Sequence, residues 1–140
     1  MIRYIVLLML FIFTLYAKEI AIVKSVKGEV ISKTSDSYER VSSGEVLESD
    51  MILITKDNSS AVIIFKDSST VVLGANSILK LERFVFEPTE NKFDFSLSLD
   101  KGSLSFESGK ISELSPESFE LKTPEGAIAI RGTKFFVKVQ

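Results

Sequence analysis

Hydrophobic and polar residues alternate along most of the chain after residue 18, and no window keeps the period of a helix. The clearest case is residues 93–99, where Phe or Leu alternates with Asp or Ser. This alternation is typical of a strand with one buried face. Similar runs recur at spacings of roughly 8–12 residues, which predicts an all-β domain of about ten short, mostly antiparallel strands in a sandwich or roll. A short β-solenoid is the alternative, although the sequence has no fixed repeat period.

The polar segments between these runs predict where the chain turns. Lys56–Ser59 carries the strongest early hairpin signal, and Lys66–Ser69 predicts another turn. Lys101-Gly102 predicts a tight turn, after which apolar residues return to the core. Residues 108–116 are interpreted as a polar loop, because their helix-like spacing of apolar residues is too short to hold a helix alone.

The last stretch of the chain predicts a turn that leads into one long strand. Pro124 and Gly126 favour the turn. Ile128 and Ile130 then share one face, whereas the apolar residues after Gly132 occupy odd positions. Such a change of face needs one extra residue in a strand of period two, so we predict a β-bulge at Gly132.

A second change of face occurs earlier in the sequence. Leucines occupy odd positions up to Leu81, and phenylalanines occupy even positions from Phe84. The pattern assigns no face to Phe84, Phe86 or Phe136, and one of these rings is a candidate for lining a binding surface.

The last stretch also carries a motif, T-P-x-G-x-x-x-x-R-G-T-x-F-x-V, which resembles the signature of FecR domains, the periplasmic modules of ferric-citrate-type signalling regulators. The matching residues are Thr123, Pro124, Gly126, Arg131, Gly132, Thr133, Phe135 and Val137. The resemblance implies that these residues are mainly structural and that they close a β domain.

Weaker matches extend the resemblance over roughly residues 23–139. They lie at residues 26–30, 44–55, 60–69 and 99–104. Two departures from the family pattern stand out. Full regulators carry a cytoplasmic sigma-factor-binding domain before the β domain and a further periplasmic domain after it, and we expect neither in these 140 residues. The sequence also stops at Gln140, directly after an apolar strand. We therefore expect either a missing partner strand or a truncated domain, with an unpaired edge that invites pairing with another chain.

Composition narrows the possible functions. The 140 residues suit one domain, and the chain contains neither cysteine nor histidine. The missing cysteines exclude a disulfide framework and a zinc–thiolate site, and the missing histidines remove the commonest general base. A net charge of −2 gives no basic surface for nucleic acid.

The first 17 residues differ from the rest of the chain. A single positive charge at Arg3 precedes an apolar run that ends at Ala17. This pattern is typical of a secretory signal peptide, and the alternative is an uncleaved membrane anchor. We expect a signal segment at 1–17 and an exported β domain at 18–140, with membrane contact only through the first segment if it stays uncleaved.

Arg131 is the charged residue most in need of an explanation. It lies between apolar strand positions on the same face as two alanines, so its guanidinium requires an acceptor. Asp50 and Asp67 are candidate partners. A fold-stabilising internal pair is favoured over contact with a ligand. Thr123 and Thr133 are likewise expected to be structural.

No group of residues predicts catalysis or metal binding. Glu45, Glu48 and Asp50 are close in sequence but lack the pattern of a calcium loop, so a solvated acidic turn is favoured. The sequence has no G-x-S-x-G elbow, and no spacing selects an acid–base pair of carboxylates for sugar hydrolysis. We expect no cofactor, no metal and no enzymatic activity.

The FecR resemblance therefore implies a periplasmic signalling or protein-interaction module of a bacterial envelope. Because we expect no sigma-factor-binding domain in these 140 residues, the resemblance implies that the module needs an envelope protein partner, a receptor or a membrane transducer. The alternative is a structural or ligand-binding envelope domain unrelated to iron signalling.

Overall fold

The computed structural model describes residues 18–35, 37–129 and 134–140, and these residues fold mainly into strands. The predicted signal segment at 1–17 and the bulge predicted at Gly132 lie outside the described residues. The strands are β1 (Glu19–Lys27), β2 (Val30–Thr34), β3 (Ser37–Arg40), β4 (Val46–Glu48), β5 (Ile52–Thr55), β6 (Ser60–Phe65), β7 (Thr70–Leu73), β8 (Ile78–Glu87), β9 (Lys92–Glu107), β10 (Phe119–Thr123), β11 (Gly126–Ile128) and β12 (Lys134–Val139). One short helix, α1 (Lys110–Leu114), and 3₁₀ turns at Pro88–Glu90 and Pro116–Ser118 complete the described structure.

The twelve strands form one curled sheet with the shape of a half-barrel, which confirms the all-β prediction. The main path runs β3-β2-β5-β8-β9-β7-β6-β1-β4. Every described pairing is antiparallel except that of β10 with β9. The arrangement corresponds to a roll, in which neighbouring strands run in opposite directions, and not to the parallel coils of a solenoid.

The curl divides the sheet into two wings that share β9. The first wing contains β4, β1, β6, β7 and β12, and the second contains β3, β2, β5, β8, β10 and β11. The hydrophobic core lies between the wings. Rings from opposite wings touch across it, with centroids 5.4 Å apart for Phe65 and Phe84 and 4.5 Å apart for Phe106 and Phe119.

The tight turn predicted at Lys101-Gly102 is wrong, because β9 continues through these residues without reversing its direction. Residues 92–101 of β9 pair with β8, and residues 104–107 pair with β7. Gly102 has a φ of +91°, a conformation that L residues rarely adopt, and this lets the strand bend from one wing into the other. Leu104 and Phe106 are buried after the bend, as predicted.

The hairpin predicted at Lys56–Ser59 is also wrong. β5 before it belongs to the second wing and β6 after it to the first, so the segment crosses between wings instead of reversing. The buried Ser59 hydroxyl accepts a hydrogen bond from the Glu29 N–H at 2.9 Å and so joins this crossing to the one between β1 and β2. The turn predicted at Lys66–Ser69 is confirmed as the β6–β7 hairpin.

Serines and glycines line the places where the chain crosses between wings. The Ser77 hydroxyl oxygen accepts a hydrogen bond from the Ser103 N–H at 3.0 Å. The Gly74 N–H donates to the Ser103 carbonyl oxygen at 2.9 Å. A Cβ atom on Gly102 would lie 2.5 Å from the Cα atom of Ser77, which shows how closely the crossings pack. We call the set Gly28, Ser59, Gly74, Ser77, Gly102 and Ser103 the glycine–serine seam.

The polar loop predicted at 108–116 contains the helix α1. Both carboxylate oxygens of Asp67 accept hydrogen bonds, from the Ser69 N–H and hydroxyl and, at 3.0 Å, from the Ile111 N–H. Ile111 is fully buried. The short helix therefore forms because tertiary contacts hold its first turn, which its local sequence alone would not do.

The change of face predicted between Leu81 and Phe84 is confirmed. The register of β8 against β9 shifts between Leu81 and Arg83, and this bulge lets both Leu81 and Phe84 point into the core. Phe86 is half-buried against Phe93. Phe136 is 64% exposed.

Within the described residues, no helix has the length and apolar character needed to cross a membrane.

Candidate functional site

The motif residues Thr123, Pro124 and Gly126 form the turn between β10 and β11. The Thr123 hydroxyl donates to the Gly126 carbonyl oxygen at 3.0 Å and accepts from the Glu125 N–H at 3.3 Å. Gly126 has a φ of +141°, which favours glycine there. The turn predicted from the sequence is therefore confirmed, and the local contacts of Thr123 stabilise it.

The long strand predicted after this turn is described in two parts, β11 and β12, and the residues that would join them lie outside the described residues. β11 pairs with β10 in the second wing, whereas β12 pairs with β9 in the first. Phe135 lies half-buried, and its ring stacks on Phe106 at a centroid distance of 5.1 Å. Arg131, Gly132 and Thr133 lie outside the described residues, so their proposed roles stay predictions.

The Asp67 carboxylate already has three protein donors, as described above. Asp50 is exposed in a turn with a φ of +70°, and its N–H donates to the Leu81 carbonyl oxygen at 2.6 Å. Pairing of either carboxylate with Arg131 stays a prediction.

An open groove of about 390 Å³ lies beside the β10–β11 hairpin. Its walls come from β8, β9, the 3₁₀ turn at Pro116–Ser118 and the hairpin itself. The groove combines one basic side chain with three carboxylates, and small side chains leave the hairpin side open. The lining residues are Arg83, Asp94, Glu117, Ser118, Phe119, Glu120, Ala127 and Ala129.

Arg83 and Asp94 form an ion pair at the groove, with 3.0 Å between the Arg83 Nε and an Asp94 oxygen. Their side chains are 58% and 39% exposed, so a binding partner can reach both. An arginine presents several N–H donors in a planar fork, which suits recognition of a carboxylate or a backbone carbonyl. The groove is therefore chemically suited to a polar or charged segment of another molecule.

The bulge in β8 determines which side chains reach this surface. Arg83 pairs in register with Ser96, and the extra residue, Glu82, lies within the shift between Leu81 and Arg83. Glu82 accepts hydrogen bonds from the Lys122 ammonium at 2.9 Å and from the Ser96 hydroxyl at 3.0 Å. Because of the bulge, two consecutive residues, Glu82 and Arg83, both find polar partners outside the core.

The pKa of the Glu82 carboxyl is lowered from its ordinary value, chiefly by the hydrogen bond from Lys122. Partial burial opposes this effect, and the hydrogen bond from Ser96 adds to it. Glu82 is therefore held in its charged form next to the groove.

The sequence did not identify Arg83, Asp94 or Glu82 as site residues. The available signal was the change of face between Leu81 and Phe84, which requires an extra residue in β8. The ion pair itself depends on the register between β8 and β9, which the local sequence does not specify.

Of the acidic residues considered for calcium, Glu45, just before β4, and Glu48 are half-buried, and Asp50 is exposed. Glu48 ends β4, and Asp50 follows in the turn. Among the described residues, no three acidic side chains are grouped so that they could hold a metal ion.

Comparison with protein families gives one match, to the family described as FecR protein, over residues 51–140. Comparison with curated proteins and with solved structures gives no significant match. The matched region begins just before β5 and includes all the groove residues, β9 and the closing strand β12. It covers well over half of the 140 residues. The chain therefore belongs to the FecR protein family.

Proposed function

We propose that this chain is a non-enzymatic module of the bacterial cell envelope, exported to the periplasm, that signals by binding another envelope protein. The observation that carries the proposal is the FecR match over residues 51–140. FecR proteins are regulatory and non-catalytic, and FecR-type regulators work with membrane receptors or sigma-factor partners. The expected partner here is a receptor or a membrane transducer.

The groove beside the β10–β11 hairpin supports this proposal. It is open, it is lined by charged side chains, and the family-matched region builds it. Open, polar surfaces of this kind suit contact with a protein segment better than enclosure of a small molecule, which favours deep and mainly apolar pockets.

The test is affinity capture from the envelope of the bacterium that makes this protein, with the full chain as bait. We expect recovery of a receptor or a membrane transducer. Recovery of a surface polymer alone, or of nothing specific, would contradict the proposal and favour the alternative of a structural or ligand-binding domain.

Two charge-reversal variants test whether the partner protein binds at the groove. Arg83→Glu reverses a charge at the groove, and Arg40→Glu makes the same change on β3, at the far edge of the second wing. We expect Arg83→Glu to lose the partner while Arg40→Glu retains it. Both purified variants must first show the melting temperature of the parent to within a few degrees.

A further inference from the structure

Strand β12 leaves one of its edges without a partner among the described residues. It pairs antiparallel with β9, from Lys134 opposite Glu107 to Val139 opposite Gly102, and with no other described strand. The free edge presents backbone N–H and C=O groups that can pair with another strand. The half-buried side chains of Phe135 and Val137 fix the strand to the core. Among the described residues this edge is therefore unpaired, and the strand that carries it is held in place.

The outward side chains of β12 form a short pattern of basic, aromatic and basic residues. Lys134, Phe136 and Lys138 are all exposed, and Phe136 is 64% exposed. Phe136 lies opposite Ser105 in register, and Ser105 lies opposite Val72, which is 40% exposed. Because the Ser105 side chain is small, the Phe136 ring has no large side chain directly opposite it on β9. A strand added at the free edge would cover the ring from the other side.

The charges on β12 indicate what kind of strand fits there. Lys138 lies opposite Ser103 and has no ion pair among the described residues, and neither does Lys134. A second copy that paired antiparallel with the two Phe136 rings facing each other would place Lys134 of one copy opposite Lys138 of the other. Like charges directly opposite each other destabilise a pair of strands. The basic pattern thus disfavours self-pairing and favours an acidic strand.

We propose that β12 binds an extended segment of another protein by strand addition. The segment carries an apolar residue opposite Phe136 and acidic residues two positions before and after it. Main-chain hydrogen bonds supply the binding, and Lys134 and Lys138 supply the preference for acidic residues. The order of basic, aromatic and basic residues on β12 is symmetrical about Phe136. The segment can therefore pair with β12 in either the parallel or the antiparallel direction. This inference rests on the proposed role as an interaction module, and it names a surface separate from the groove.

The test uses a synthetic peptide with a central valine, one aspartate two positions before it, one glutamate two positions after it and threonine elsewhere. Its Kd for the purified full chain is measured by fluorescence anisotropy and compared with that of the peptide carrying lysines at the acidic positions. We expect the acidic peptide to bind at least about tenfold more tightly, which corresponds to about 1.4 kcal/mol. In the double variant Lys134→Glu, Lys138→Glu the order of the two peptides should reverse.

Two controls separate strand addition from other causes. The acidic peptide is N-methylated at one or the other set of alternate residues; both versions keep its charges, but methylation of the set whose N–H groups face β12 prevents the ladder, so that version should not bind. Equal binding of acidic and basic peptides, or unchanged binding of both N-methylated versions, would overturn the proposal. Self-association of the free chain that Phe136→Lys abolishes would overturn it in favour of a second copy. Failure of the peptide leaves capture of a partner through the groove unaffected, so the two proposals fail separately.

Discussion

The buried carboxylate of Asp67 accepts a hydrogen bond from the Ile111 N–H at 3.0 Å, and this contact joins the β6–β7 hairpin to the helix α1. The Asp67 carbonyl oxygen also accepts from the Lys110 N–H at 2.8 Å. A turn residue thus caps a helix more than forty positions later in the chain. The segment between β9 and β10 takes its shape from this contact, and it delivers the 3₁₀ turn that lines the groove.

Replacement of Asp67 by asparagine should destabilise the protein by about 2–4 kcal/mol. Asparagine has one acceptor oxygen where the carboxylate has two, so at least one buried donor loses its partner. Urea denaturation followed by circular dichroism measures the change. Asp57→Asn, on the exposed crossing before β6, is the matched control and should stay within about 0.5 kcal/mol of the parent. Equal stability of both variants would contradict the role given to Asp67.

Replacement of Gly102 by alanine should cost about 3 kcal/mol or more, because two effects add. The residue has a φ of +91°, and an added Cβ would meet the backbone of Ser77. Gly44→Ala separates the effects, because Gly44 has a φ of +89° and no atom lies within 4 Å of an added Cβ. We expect about 1 kcal/mol for Gly44→Ala. If thermal denaturation gives the two variants the same loss, the close packing of the glycine–serine seam is not what stabilises the bend in β9.

The strands themselves were predictable from the sequence, but their partners were not. Alternation identified the buried face of residues 93–99, because one face of a strand must leave water whichever strand lies beside it. Lys56–Ser59 and Lys66–Ser69 look alike as short polar segments, yet the first crosses between wings and the second closes a hairpin. The difference arises from distant contacts, such as that of Ser59 with Glu29.

The same limit applies to the groove. The motif residues at 123–126 were identified because the turn depends on local conformation, and a proline and a glycine restrict it directly. Arg83 and Asp94 were missed because only the register of β8 on β9 brings them together. The local sequence therefore predicts the turn at 123–126, whereas the charged surface of the groove beside it depends on how the strands pair.

The free energy of unfolding should fall as the pH is lowered, and Glu82 should contribute part of this fall. The folded-state pKa of this carboxyl is lowered from 4.5, so the pair with Lys122 contributes stability above that value and loses it as pH falls through the lower, folded value. Lys122 is 41% exposed, which limits the contribution to about 0.2–1 kcal/mol.

Glu82→Gln tests this dependence by urea denaturation from pH 7 down to pH values well below 4.5. The stability difference between parent and variant should be largest at pH 7 and should shrink towards the acid end. Glu125→Gln, at the exposed tip of the β10–β11 turn, serves as the control and should show no such trend. A difference that stays constant with pH would show that the Lys122 contact does not act through the charge of Glu82.

The most direct test of the proposed function is site-specific photo-crosslinking in the living bacterium. A photoreactive amino acid replaces Ala129 in the groove or, as the control, Tyr38, which is 63% exposed on β3 at the far edge of the second wing. We predict one adduct of defined mass with an envelope protein from position 129 and none from position 38. No adduct from position 129, or the same adducts from both positions, would contradict a protein-binding role for the groove.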